Sequence, residues 1–299
     1  MVMGGTPHFT LDGAPVFGMA GAGTFAEEMI IPHQGVVKID DDIPMEIGSL
    51  IGCGVMTGVG AAINTAKVTP GSSVVVFGCG GVGISCIQGA KVAGASVIVA
   101  VDLNDGKLED AKRFGATHAC KPDELDSLRA SLTAGDGFDY AFEAIGLPST
   151  MRASFDAIRR GGTACIVGVG KLDEFVSFSA FELFFSEKVL VGSYYGSADV
   201  RTDFHKLLGF YKDGSLPLAD LAAPAAALAR EGVPLNAQQA YVFEILEQIL
   251  TLTPEAAAEF APGGRPLREG QPFRSPELAE TIERLGADGA APFLTGDLA

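Results

Sequence analysis

The chain has 299 residues, 47% of them hydrophobic, and a formal net charge of −16, which allows two domains of ordinary size with a core for each. The acidic balance excludes nucleic acid as a partner, because phosphate binding relies on clustered Lys and Arg. No run approaches the ~18 apolar residues of a membrane span, and Met1 to Gly13 lacks the basic start and apolar stretch of a secretory signal, so the expected location is the cytoplasm, with no membrane partner.

In chain order, Ser73 to Phe77 (Ser-Val-Val-Val-Phe) is β-branched, apolar and bounded by Pro70-Gly71, which reads as a short buried strand. Gly78-Cys79-Gly80-Gly81-Val82-Gly83 follows directly as a GxGxxG, and a helical pattern runs through Ile84, Ile87 and Lys91 to a stop at Gly94. A second strand, Val97 to Val101, ends at Asp102. Strand, glycine turn, helix, strand and acid stand in the order of a dinucleotide-binding unit. Gly78 permits the tight turn, Gly80 lets backbone approach a pyrophosphate, and Gly83 allows close packing of helix on strand. The helix N-terminus offers unpaired N–H groups and a partial positive charge to phosphates. Asp102, 24 residues after Gly78, would accept hydrogen bonds from the adenosine ribose and repel a 2′-phosphate, which points to NAD rather than NADP. In a chain with 39 Gly such a turn alone could be only a flexible loop; the flanking strands and the terminal Asp favour the dinucleotide reading.

The βα alternation continues. Lys107 to Phe114 reads as a helix closed by Gly115, Thr117 to Cys120 as a strand, and Asp123 to Leu132 as a helix with Asp123 as N-cap. Phe138 to Ile145 reads as a strand, Pro148 to Arg160 as a helix terminated by Gly161-Gly162, Thr163 to Val167 as a strand, and Val189 to Gly192 as the last. The expected fold class is α/β, a Rossmann doubly wound parallel sheet with ligand at the carboxyl ends of the strands. The apolar run Phe175 to Tyr195 fits either a buried interface or plain core.

Residues 49–66, SLIGCGVMTGVGAAINTA, followed by KVTPGSSVVVFGCGGVG and VDLNDGK, resemble the zinc-dependent alcohol and formaldehyde dehydrogenases of the medium-chain superfamily, over roughly Gly4 to Leu221. The resemblance implies that Cys53 is a ligand of a catalytic zinc and that Thr57 approaches the nicotinamide. It implies that Gly81 and Val82 join the pyrophosphate turn and that Asp102 and Lys107 hold the adenosine ribose. Ile166-Val167-Gly168-Val169 would lie along the nicotinamide ribose. The implied cofactors are NAD and zinc, the implied substrate a small alcohol or aldehyde, and the implied assembly a homodimer through the edge of the cofactor sheet near Val189 to Tyr195. A zinc with three protein ligands and one open position would polarise the substrate oxygen while NAD carries the hydride.

The resemblance also implies that the remaining zinc ligands, the proton-relay hydroxyl and a structural zinc lobe precede Met1, and that Gly23-Thr24-Phe25-Ala26-Glu27 is the strand entering the catalytic lobe. The five cysteines include no CxxC pair, and none of His8, His33, His118 and His205 stands at zinc-ligand spacing from Cys53. The expectation is therefore a chain that alone binds zinc weakly or not at all. A non-catalytic NAD-binding module is the alternative.

Composition shifts near residue 220: all ten Lys lie at or before Lys212, and nine of the sixteen Pro lie between Pro217 and Pro292. From Leu221, LAAPAAALAREGVPLNAQQA and PELAETIERLGADGAAPFLTGDLA resemble an internal piece of the gamma-glutamyltransferase large subunit, with a junction expected near residues 216–224. A gamma-glutamyltransferase-related protein is a further alternative, but that family's threonine nucleophile would lie after Ala299, so no transferase activity is expected. Helices are expected at Ala223–Arg230, Ala237–Leu250, Pro254–Phe260 with Thr253 as N-cap, and Pro276–Gly286. The expected organisation is a partial GroES-like remnant at 1–54, the Rossmann domain at 55–197, a return segment at 198–221 and a helical, loop-rich fragment at 222–299.

Overall fold

Apolar side chains on both faces of Ser73–Phe77 demand cover on both sides. In the computed structural model this segment is the central strand of a six-stranded sheet. The structure describes residues 9–11, 13–16, 31, 33–218, 220 and 227–288. Two compact units, Met1–Asp40 and Asp41–Ala299, divide the chain. In the first, β1 (Phe9–Leu11) and β2 (Ala14–Val16) form an antiparallel hairpin. The strand expected at Gly23 to Glu27 and His8 lie outside the described residues.

The second unit begins with one long helix: α1 (Met45–Leu50), a π-helical turn at Ile51–Val55, α2 (Met56–Gly60) and a second π-helical turn at Ala61–Thr65. Within it, Ile47–Thr65 has 19 residues and a mean hydropathy of 1.5, long and apolar enough to cross a membrane. That corrects the expectation that no run reaches this level. The interspersed glycines hide the run, since they add little hydropathy yet carry no charge. Half of the segment is buried, and its small residues pack on the next helix, where a Cβ on Gly58 would fall 2.4 Å from the Ser85 Cβ.

The sheet follows. β3 (Ser73–Phe77) leads through α3 (Gly81–Val92) to β4 (Val97–Val101), then α4 (Asp105–Arg113) and β5 (His118–Cys120). After α5 (Leu125–Leu132) come β6 (Phe138–Glu143), α6 (Pro148–Ala157), β7 (Ile158–Ile166), α7 (Ala180–Ser186) and β8 (Val189–Gly192). The strand order is β5-β4-β3-β6-β7-β8 with every pairing parallel. Strand order therefore reverses between β3 and β6, and a crevice opens there at the carboxyl ends. Alternate residues of β3 feed two cores: Val74 and Val76 join Ile84, Ile87 and Phe142 on one face, while Val75 and Phe77 join Phe138, Phe155 and Ile158 on the other. Truncating Phe138, Phe142 or Phe155, all without solvent exposure, would cost about 3–5 kcal/mol each.

Several boundaries differ from expectation. Helix α6 stops at Ala157 rather than Arg160, because Ile158 is buried opposite Phe138 and already belongs to β7. Gly161-Gly162, expected to end the helix, instead form an irregularity inside the strand, with the register shifting between Phe138 and Tyr140. Strand β6 ends at Glu143, whose own side chain captures the next amides and turns the chain. The helix expected from Asp123 opens with a 3₁₀ turn, Pro122–Glu124, closed by Glu124 accepting from Lys121 N–H. The sequence reading did not anticipate α7.

After α8 (Val200–Lys212), residues 227–231 are helical, and the start of the helix expected at Ala223 lies outside the described residues. The helix expected at Ala237–Leu250 breaks at Leu246 into Ala237–Ile245 and Glu247–Leu250. Pro254–Phe260 stands as expected, with Thr253 accepting from Ala256 N–H, and the last helix runs Pro276–Asp288. Val233–Pro234 pairs antiparallel with Pro272–Phe273. Rings of Phe243, Phe260 and Phe273 cluster with centroids 5.3–5.6 Å apart, while Tyr241 and Ile245 stay exposed.

Candidate functional site

At the end of β3 the backbone takes a positive φ of +91° at Gly78, a conformation cheap only for glycine. Its N–H donates to the Val101 carbonyl of β4 (2.8 Å). The next amide, Cys79 N–H, donates to Asp102 Oδ2 (2.8 Å), and Asn104 N–H donates to Asp102 Oδ1 (3.0 Å). The carboxylate is thereby clamped at the end of β4, with about two of its four lone-pair positions still free to accept. Gly80 caps α3 with no side-chain hydrogen bond, and Gly80 and Gly81 are exposed with open space where a Cβ would stand. The first amides of a helix have no partner within it, so this turn offers donors along a surface bare of side chains. Gly83 is the opposite case: a Cβ there would lie 1.8 Å from the Gly78 carbonyl oxygen. Val82 is half-buried.

Lys107 is exposed in the first turn of α4, its N–H donating to the Asn104 cap (3.1 Å). Asp102 and Lys107 both act on the buried Cys79 thiol. Burial chiefly, then Asp102, push its pKa up to about 12, while Lys107 opposes them. Turn, acid and lysine therefore form one group.

Val167 is buried, Gly168 half-buried and Val169 exposed. The N–H groups of Val167 and Gly168 both donate to the Glu143 carbonyl (2.8 and 2.9 Å). Sequence reasoning missed Glu143; the available signal was an acid closing an otherwise apolar strand.

Cys53 is exposed in the first π-helical turn, and Thr57 is half-buried in α2. The hydroxyl of Tyr195 donates to the neighbouring Gly52 carbonyl (2.7 Å), and burial, then Cys53, raise its pKa. Tyr195, Gly196 and Ser197 all have positive φ, and Gly196 sits against the carbonyls of Met56 and Thr57. The structure thus brings Cys53 and Thr57 together with the segment after β8, for which the sequence suggests an interface or plain core but no link to Cys53. Among the described residues, no group of three or more His, Cys, Asp or Glu could hold a metal ion. His33 lies in a 3₁₀ turn, His118 in β5 beside Thr117, and His205 in α8.

Parallel strands reversing order at β3 and β6, a side-chain-free glycine turn at a helix N-terminus, and an acid on the next strand define a Rossmann-type fold, the class in which dinucleotides bind at such a switch point. Residues 81–213 match the family described as zinc-binding dehydrogenase, and residues 206–299 match gamma-glutamyltranspeptidase. The two matches overlap at 206–213, slightly before the junction expected at 216–224. The chain is 39% identical over 225 residues to an alcohol dehydrogenase class-3 from Cereibacter sphaeroides, covering 72% of this chain and 60% of that protein. It is 38% identical over 224 residues to an S-(hydroxymethyl)glutathione dehydrogenase from Paracoccus denitrificans, with the same coverage. Among solved structures, benzyl alcohol dehydrogenase from Acinetobacter calcoaceticus is 36% identical with a TM-score of 0.59, over 62% of this chain and 51% of that one. An alcohol dehydrogenase zinc-binding domain protein from Burkholderia ambifaria is 32% identical with a TM-score of 0.59, over 76% and 55%. The chain is thus similar to zinc-dependent alcohol dehydrogenases and spans about 60% of the length of these two curated relatives.

Proposed function

We propose that the chain binds NAD across the β3/β6 crevice, as the cofactor-carrying part of a dehydrogenase. Its reaction would be hydride transfer between a primary alcohol, or a thiol adduct of formaldehyde, and the aldehyde. One observation carries the reading: the bare backbone of Gly80 and Gly81 at the start of α3 faces a carboxylate clamped at Asp102. Gly78, Gly80, Gly81, Val82 and Gly83 would hold the pyrophosphate through amides and the helix field. Asp102 and Lys107 would hold the adenosine ribose, and Val167, Gly168 and Val169 the other ribose. Thr57 would stand beside the nicotinamide. When bound, NAD supplies the hydride acceptor; the chain supplies orientation and the exclusion of competing positions.

Zinc does not fit the described residues. A catalytic zinc takes three protein ligands, and Cys53 is not joined by two more. The chain by itself is then an NAD binder without turnover. Calorimetric titration with NAD, paired with an alcohol oxidation assay and metal analysis, tests this. Saturable binding without turnover supports it. Stoichiometric zinc that disappears in Cys53→Ser would overturn the metal part, and failure to bind NAD would overturn the whole.

A homodimer through β8 is the second reading. Phe181, Phe184, Phe185, Val189, Leu190 and Tyr194 are all exposed beside this edge strand, which argues against their serving as plain core and leaves unpaired backbone to match. Sedimentation should give a dimer that Leu190→Lys dissociates. The dehydrogenase reading carries with it a cytoplasmic location, which cell fractionation would check, and assigns no transferase step to residues 206–299.

A further inference from the structure

Glu143 closes β6 at the switch point, and its side chain has no solvent exposure. Burying a carboxyl group is costly unless its oxygens find donors. Oε1 accepts three hydrogen bonds: from Ile145 N–H (3.1 Å), Gly146 N–H (2.8 Å) and the Thr150 hydroxyl (2.7 Å). Oε2 is buried with no hydrogen-bond partner among the described residues. The Glu143 backbone carbonyl takes the amides of Val167 and Gly168. One residue therefore gathers the turn after β6, the start of α6 and the turn after β7.

The two turns also interlock without side chains. A Cβ on Gly168 would fall 2.2 Å from Gly146 N and 2.6 Å from Glu143 Oε2, and one on Gly146 would fall 2.3 Å from the Val169 carbonyl oxygen. The two turns therefore pack backbone against backbone with no room for a side chain between them. A doubly wound sheet binds one nucleotide on each side of its switch point. The glycine turn and Asp102 occupy the β3–β4 side, so the β6–β7 rim would face the second nucleotide of a dinucleotide bound there.

We propose that Glu143 is a positioning residue that fixes the β6 and β7 rims as one body for the second nucleotide of a bound dinucleotide. This rests on the NAD reading above. Glu143 does not act through contact with the cofactor; its side chain holds the amides at 145 and 146 and the Thr150 hydroxyl, and the turn at 167–168 is coupled to them by the packing of Gly168 against Gly146 and Oε2. Gln can supply the Oε1 acceptor in the same shape, whereas Leu cannot.

The test compares wild type, Glu143→Gln, Glu143→Leu and Thr150→Val in calorimetric titrations with NAD and with AMP, alongside hydrogen exchange of the rim amides. For Glu143→Leu, NAD affinity should fall tenfold or more while AMP affinity stays within about twofold, and amides 145–146 and 167–168 should exchange faster together. Gln should restore both properties, and Thr150→Val, which removes only one donor, should give a smaller loss of the same kind. Equal losses for AMP and NAD, no rescue by Gln, or acceleration in one rim alone would overturn the proposal. If Glu143→Leu fails to fold, the Gln and Val variants decide it by the same criteria. A wild-type chain that binds neither ligand would refute the NAD reading, and the exchange data would still decide whether Glu143 couples the rims.

Discussion

Replacing Gly83 by Ala puts one methyl group where the helix meets the glycine turn. Its carbon would lie 1.8 Å from the Gly78 carbonyl oxygen and 2.9 Å from the Gly78 carbonyl carbon. Both are backbone atoms, so no side chain can rotate away, and α3 must retreat from β3 by more than about 1 Å to reach contact distance. Overpacking of this kind costs about 1–3 kcal/mol, which lowers the melting temperature by roughly 3–10 °C for a domain of this size. The shift falls on the amides proposed for the pyrophosphate, where a misplacement of about 1 Å can cost on the order of a hundredfold. Calorimetric melting and NAD titration of Gly83→Ala against wild type measure both effects. Unchanged melting with unchanged NAD affinity would refute the close-packing argument.

Other consequences follow from the same geometry. Asp102→Asn should weaken NAD by about tenfold or more, since hydrogen bonds to a charged group contribute about 1.5–3 kcal/mol, and Asp102→Gly should narrow the NAD over NADP preference; the two dissociation constants check this. The carboxyl of Asp139 is lowered: burial alone would raise it, but Ser73 N–H and hydroxyl (both 2.8 Å) and Arg159 (2.6 Å) outweigh that. A lowered folded-state value contributes stability that is present above the ordinary carboxylate range and lost as pH falls through the folded value. Asp139→Asn should therefore melt about 1–2 kcal/mol less stably near neutrality and show a flatter acid limb in a pH series. Cys79, Cys86, Cys120 and Cys165 are buried, and burial chiefly raises all four thiols, with Cys79 and Cys165 at about 12 and Cys120 at about 11. A thiol reagent at pH 8 should modify one cysteine of the native protein, and Cys53→Ser should abolish that reaction.

The cofactor sheet was legible because short β-branched runs, a glycine turn and a terminal acid impose one topology. Val97–Val101 and Val189–Gly192 stand at the bounds the pattern predicts. What escaped depends on tertiary partners. Ile158 reads as the end of a helix until Phe138 pairs with it. Ala180–Ser186 has no buried face, so no periodicity marks it. The pairing of Val233–Pro234 with Pro272–Phe273 joins two-residue strands distant in sequence, too short to leave a pattern. Glu143 gave only its identity and its place at a strand end, since its donors become partners only when the chain turns at Ile145. Tyr195 sits far in sequence from Cys53, and the approach of the two depends on the helix at 45–65 folding against the end of β8.

In the proposed site, the amides at residues 80–83 and the carboxylate at Asp102 form one half of the NAD-binding surface. Isothermal titration of the purified, folded chain with NAD measures this directly. The expected result is saturable one-to-one binding that Gly83→Ala and Asp102→Asn both weaken. No binding at millimolar NAD by a protein with native circular dichroism would contradict it.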